Sequence, residues 1–269
     1  MSRAEIARRE GLALVRAETE RVLDLLGALE RESWSRPTNC APWDVRMMAA
    51  HLVRGAESFI ASLERGLQGN LEPAMTPEQR VERTNQIAAQ SQQQILKQLR
   101  EASGRFEELL AGMTPEQLAL PATHVHGLRD AVWFVQQRLA ELMFHLWDLR
   151  VSLDLHPELD EGVVRWLLPM LVERNLPVLY DPNSRLEGTI GLAVQDVAEL
   201  AWTLRPGADR VEVIAGSADT AAAIEGDATS LALLVYGRLS LDELERRGRL
   251  RVRGDRALAG RFGAAFRGP

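Results

Sequence analysis

Residues 138–150, RLAELMFHLWDLR, place Arg138, Glu141, His145 and Asp148 in an otherwise apolar stretch. Their spacings of three, four and three, at about 100° per residue, gather the ionisable groups within roughly 80° of one another on a helix. Leu139, Leu142, Leu146 and Leu149 form a separate stripe, and Ala140, Met143, Phe144 and Trp147 cover most of the back. A surface helix is polar over about half its girth; this one is apolar nearly all round except for the strip. Two readings are open. The strip is the solvent face, with Glu141 and His145 an ordinary i,i+4 pair. Or Glu141 and His145 share a metal ion in a bundle core, as paired carboxylate and imidazole ligands one turn apart do.

The rest of the first half reads as long helices. Leu12, Val15, Val22, Leu26 and Leu29 repeat at helical spacing over about 3–31. The turn-rich loop SWSRPTNCAP follows, and Asp44 caps a second helix with Val45, Met48, Leu52, Ala56 and Phe59 on its core side. TPEQ at 76–79 opens a helix expected to run to about 111, and TPEQ at 114–117 is a second local helix start. A fourth long helix is expected over about 127–152. Four long helices suggest a bundle.

After about residue 160 the texture changes. A segment near 160–178 carries Pro169 and Pro177 and is expected to be short or kinked. Candidate strands follow at 188–194, 199–204, 210–216 and 221–227, with RPGADR as a hairpin loop. Helices are expected at about 228–236 and 241–247, the second with Ser240 and Glu243 as a capping box. RLRVRGD, 249–255, reads as a last strand, and RALAGRFGAAF as a closing helix. The chain of 269 residues is therefore an α+β two-domain protein, a helical bundle over 1–158 and a small α+β domain over 159–269.

Composition narrows the partners. A net charge of −6 argues against general nucleic-acid binding. No apolar run approaches the ~20 residues of a membrane span, and MSRAEIARREGLALV lacks the apolar core of a signal peptide. Cys40 is the single cysteine, which rules out an internal disulfide and fits the cytoplasm.

Zinc wants at least three protein ligands and, in a catalytic site, an open position. Among the histidines, His51 sits on the predicted second helix beside Met47, Met48, Leu52 and Val53. A lone histidine on an apolar face is usually a hydrogen-bonded core residue; a second helix bringing one toward Glu141 and His145 raises the odds that the three converge. His124 and His126, in PATHVHGLRD, are equally readable as a ligand pair or as a loop near the site mouth. His156 precedes Pro157 and looks like a helix exit.

PTNCAPWDVRMMAAHL, 37–52, resembles the PT-x-C-x-GW-T-V-R-D-x-x-x-HL segment of the DinB-like, mycothiol-dependent maleylpyruvate isomerase family. RLAELMFHLWDL resembles that family's R-x-x-E-x-x-x-H-x-x-DL helix. VYGRLSLDELERRGRLRVRGD is similar to the G-R turn and terminal strand of its sterol-carrier-like C-terminal domain. The resemblance thus implies a DinB-like four-helix bundle and a sterol-carrier-like second domain, with metal roles on His51, Glu141 and His145. It implies mycothiol as a thiol cofactor, and it aligns Arg238, in the YGR turn, with the arginine that the family uses from its second domain to complete the active site. Ala41-Pro42 and Asp44 depart from the family's pattern before and after the Trp, while keeping its turn and cap chemistry. The ending GDRALAGRFGAAF is closer to carrier-like relatives, which leaves the substrate open.

Two neutral imidazoles and one carboxylate around a divalent ion, with zinc first choice, give a +1 site that favours an anionic further ligand. Water or a thiol can fill it; a coordinated thiol is deprotonated and becomes a nucleophile. Such a nucleophile can add to an activated double bond and leave again, giving cis–trans isomerisation, or it can perform S-transfer. Arg238 suits the carboxylate of a small anionic substrate and reads equally as a surface arginine at a helix end. Arg138 and Asp148 either orient Glu141 and His145 or form an exposed salt-bridged edge. Cys40, in a turn just before a helix, is not read as a nucleophile. Two other classes stay open: a non-catalytic carrier of a hydrophobic ligand, and a metal hydrolase without thiol chemistry.

Overall fold

The computed structural model describes residues 2–184, 186–195, 197 and 199–266. It divides into two compact units, Met1–Glu158 and Leu159–Pro269.

The first unit is built on α1 (Arg3–Gly27), α2 (Val45–Leu67), α3 (Pro77–Ala88), α4 (Gln92–Ala111), the single turn α5 (Pro115–Leu118) and α6 (Ala131–Ser152), with a short 3-10 turn at Arg31–Ser35. The helix starts are written locally. Ser2, Thr76, Ser91 and Thr114 each form a reciprocal capping box, and Asp44 and Asp130 cap α2 and α6 by accepting from Met47 N and Trp133 N. α1, α4, α2 and α6 close a four-helix ring in which each packs on two others. Val15, Val22, Leu52, Val53, Leu99, Phe106, Phe134 and Leu142 are buried between them.

Two expectations are corrected here. The helix expected over 76–111 is two, because Ser91 caps a fresh start with Gln94 as its box partner. The carbonyls of Ala88 and Gln90, left over at the break, accept from Arg46 Nη1 of α2 at 3.4 and 2.8 Å. The loop expected before the fourth helix is instead a hairpin, β1 (Ala122–His124) paired antiparallel with β2 (Gly127–Arg129), and α6 begins only at Ala131. The tight turn rests on Gly127, whose φ of 96° suits glycine.

The second unit opens with α7 (Glu161–Met170), a π-helical turn over Leu171–Asn175 and the single turn α8 (Leu176–Leu179). This is the expected kink. Pro169 and Pro177 have no N–H to give to the carbonyls one turn earlier, so the regular ladder cannot run through. Then come β3 (Ile190–Val194), β4 (Ala201–Pro206), β5 (Val211–Ala215), β6 (Ala222–Gly226), α9 (Ala228–Val235), α10 (Leu241–Arg246), β7 (Leu250–Gly254), α11 (Arg256–Gly260) and α12 (Phe262–Ala265). The sheet order is β5-β4-β3-β6-β7, antiparallel except for the parallel β3–β6 pair, with Ile190 opposite Leu204 on one side and Ala222 on the other. β3 and β6 alternate buried and half-buried residues, and α7 and α9 pack together. Two details differ from expectation. Ser240 caps α10 by accepting from Glu243 N at 3.2 Å, while the reciprocal half of the box is not made among the described residues. The closing helix is two short turns meeting at Arg261. No helix among the described residues is long and apolar enough to cross a membrane.

Candidate metal centre

The ionisable strip of α6 is not a solvent face. The side chains of Arg138 and Asp148 are 0% exposed, and those of Glu141 and His145 only 13% and 11%. Such groups are buried only when they are paired or have a task.

The strip faces α2 and the loop before it. That loop is held by Thr38, whose N–H and hydroxyl both donate to Trp43 O (2.9 and 2.8 Å), and by Cys40 N–H donating to Thr38 Oγ1 at 3.2 Å. The closed loop, with a cis Ala41-Pro42 peptide, sets the Trp43 ring on His51, 4.7 Å between centroids. His51 of α2 and His145 of α6 then stand edge to face, 5.0 Å between ring centroids. Burial, followed by the positive charges of its neighbours, holds the His51 imidazole well below the usual histidine range, so it is neutral, as a ligand must be.

Asp148 Oδ2 pairs with His145 Nδ1 at 3.1 Å, and the Cys40 thiol donates to the same oxygen at 3.3 Å. A carboxylate accepts, so Nδ1 carries a proton, and Nε2 is the nitrogen whose lone pair a neutral His145 would offer. Glu141, one turn before His145, packs against the backbone of α2: a Cβ on Gly55 would lie 2.9 Å from Glu141 Oε2. Gly55, one turn past His51, is therefore the residue that lets the carboxylate in. Arg138 Nη1 donates to Leu52 O at 2.9 Å and lies 3.6 Å from Glu141 Oε2, and Nη2 donates to Ser103 Oγ at 3.3 Å. Glu141 Oε2 is buried and accepts no hydrogen bond among the described residues.

The tightest convergence of candidate ligating atoms among the described residues is Cys40, His145 and Asp148, all within 4.8 Å of one another. That cluster is already joined internally and uses Nδ1 of His145. The His51, Glu141 and His145 set uses the remaining Nε2 and contains the unsatisfied oxygen. A divalent cation at the second set would supply what Glu141 Oε2 lacks and leave the Asp148 bonds intact, but it would compete with Arg54, whose Nη2 lies 2.6 Å from His51 Nδ1.

Of the other histidines, His124 is packed among Phe59, Trp133 and Phe134, 4.6 Å from the Trp133 ring, and its Nδ1 accepts from His126 N–H at 3.3 Å. Burial, then the charges of His126 and Arg129, push its pKa down to about 3. It is a wall of the hairpin. His156 is exposed. Arg238, in the second unit, follows Gly237, whose φ is 69°; its Nη1 donates to Tyr236 O at 3.2 Å and its guanidinium lies 5.3 Å from the Tyr236 ring centre. The sequence reading missed Arg54 and, having set Cys40 aside as a nucleophile, missed the contact of its thiol with Asp148. The His51–Arg54 spacing of three was a visible signal for the first; the second depends on a loop closure that no local pattern shows.

The sequence pattern of the mycothiol maleylpyruvate isomerase N-terminal domain matches residues 15–150, and that of the SCP-2 sterol transfer family matches 173–267. A crystal structure of the mycothiol-dependent maleylpyruvate isomerase superposes with a TM-score of 0.65 at 15% identity, covering 89% of this chain and 93% of that one. A histidine-to-alanine mutant of the mycothiol-dependent maleylpyruvate isomerase gives 0.66 at 14% identity, over 94% and 95%. At that identity the likeness shows the fold. No curated protein sequence matches the chain significantly.

Proposed function

The chain belongs to the mycothiol-dependent maleylpyruvate isomerase family, and from that premise we propose that it is a metal-dependent, thiol-using cytoplasmic enzyme acting on a small anionic electrophile. His51, Glu141 and His145 are the proposed metal ligands, and zinc is the proposed ion. The observation that carries the reading is the pairing of two imidazoles at 5.0 Å with a buried carboxylate oxygen that accepts no hydrogen bond among the described residues and has the Arg138 guanidinium, 3.6 Å away, beside it. When bound, the ion supplies the Lewis acidity that turns a small thiol, mycothiol by the relatives' name, into a nucleophile at neutral pH.

The chain's own residues do the positioning. Asp148 holds the His145 ring through Nδ1 and fixes which nitrogen is offered. Arg138 stands beside Glu141 inside the bundle, 3.6 Å from Oε2, with its two terminal nitrogens donating to Leu52 O and Ser103 Oγ. Trp43 packs its ring against His51, 4.7 Å between centroids. Arg238 is assigned the role that the family resemblance gives it, a bidentate cation for the substrate's carboxylate. Isomerisation of an activated double bond is the favoured reaction, with S-transfer as the other outcome of the same nucleophile.

The test is metal content and thiol binding. Protein purified without chelator should hold about one divalent ion per chain, His145→Ala should lose most of it, and calorimetry should show mycothiol binding to the loaded protein only. Full occupancy in His145→Ala would mean that the ligands are others. Equal mycothiol binding by metal-stripped protein would remove the thiol from the metal.

A further inference from the structure

Arg54 lies one turn beyond His51 on α2, and its Nη2 donates to His51 Nδ1 at 2.6 Å. Arginine has donors only, so Nδ1 is the acceptor here and the ring proton sits on Nε2. Arg54 Nε is buried and has no hydrogen-bond partner among the described residues. The negative charges that act on this guanidinium are Glu141 first and then Glu57. Glu57 is already gripped at both oxygens by Arg83, at 2.8 and 2.6 Å. Arg54 thus stands toward the imidazole and the carboxylate as a cation would.

A divalent ion at His51 breaks this arrangement whichever nitrogen it uses. At Nδ1 it takes the lone pair that Arg54 holds. At Nε2 it leaves the ring proton on Nδ1, and two donors then face each other. In either case the guanidinium loses its acceptor, and Glu141 is engaged by the ion. Arg54 is half-buried, with its Nε shut off from solvent, and a guanidinium so placed is costly to leave without a counter-ion. An anionic group on the ligand is the missing partner, and a planar fork of donors fits a carboxylate.

Resting on the metal reading above, we infer that Arg54 is an anion-binding residue of the site: a divalent ion displaces its guanidinium from His51, and the released guanidinium takes a carboxylate of the substrate. Metal and anionic substrate then bind with positive coupling, because each relieves what the other leaves unsatisfied.

Zinc affinity of the full-length protein, measured by chelator competition with and without maleate as a probe dicarboxylate, tests this. Without maleate, Arg54→Gln should bind zinc about tenfold more tightly than the wild type, since one charge-assisted hydrogen bond no longer competes. Maleate should tighten zinc binding in the wild type and leave Arg54→Gln unchanged. Equal zinc affinities, or an equal maleate effect in both proteins, would overturn the assignment while leaving the metal site standing. Zinc binding by neither protein would remove the metal reading and this inference together. Should Arg54→Gln fail to fold, Arg54→Lys replaces it: it should bind zinc and show a weakened maleate effect, and an undiminished one would overturn the assignment.

Discussion

The two units handle charge in opposite ways. In the bundle, Arg138 and Asp148 are 0% exposed, and each is tied to one specific neighbour on the strip, Glu141 or His145. In the α+β unit, Arg249, Arg251 and Arg253 form a ladder on β7 and its approach, 53%, 53% and 63% exposed, facing Asp227 and Glu225. Buried ions bring a desolvation cost that their mutual attraction only partly offsets, so they persist where a task requires them. Exposed pairs in water are worth about 0–1 kcal/mol and constrain little. The difference marks the bundle interior, and not the richer network of the sheet, as the place where charge is functional.

The largest effect should come from removing a buried charge. Arg138→Ala leaves Leu52 O and Ser103 Oγ without their donor and Glu141 without its nearest cation. A loss of about 3–5 kcal/mol is expected in urea unfolding. A loss below about 1 kcal/mol would erase the contrast, since it would make the buried ion no more consequential than a surface one.

An intermediate effect belongs to Asp227, which is a cap as well as a partner. Its carboxylate accepts from Ser230 N–H at 2.9 Å at the start of α9 and receives both prongs of Arg249. Burial pushes its pKa up, but Arg249, Thr229 and Ser230 together outweigh that and hold it below the ordinary 3.8. A depressed folded-state value means stability present above the unfolded value and lost as the pH falls through the folded one. Asp227→Ala should therefore cost about 1 kcal/mol at neutral pH, as loss of a cap does. The gap from the wild type should narrow once the pH drops below the unfolded-state value. A gap that stays constant down to strongly acidic pH would show that the carboxylate's charge is not what stabilises.

The smallest effect is expected at the ladder's end. Arg253 Nε lies 3.2 Å from Glu225 Oε2, which Arg251 also pairs with at 2.8 Å. Arg253→Ala should change thermal stability by less than about 0.5 kcal/mol, because one partner remains and the site is wet. A loss approaching that of Arg138→Ala would reverse the reading of the two units.

Much of this was legible in the chain itself. The TPEQ starts, Asp44, the Pro169 and Pro177 kink and the alternating strands are local signals, fixed by capping, by proline's missing N–H and by the two-residue pleat. The period of the α6 strip likewise put Arg138, Glu141, His145 and Asp148 on one side, because helix geometry alone sets that.

Local patterns could not say whether that side met water or protein. Burial is a property of what packs against a helix, and the answer came from α2, where Gly55 admits Glu141 and His51 meets His145. The break at Ser91 was present in the letters, yet helix propensity is weak enough for a polar run to be read straight through it. The hairpin at 122–129, the reach of Cys40 to Asp148 and the grip of Arg54 on His51 were decided by tertiary structure. The first two depend on contacts between residues far apart in sequence or on loop closure. The third joins neighbours one turn apart, but only a half-buried setting that limits water makes a guanidinium choose an imidazole.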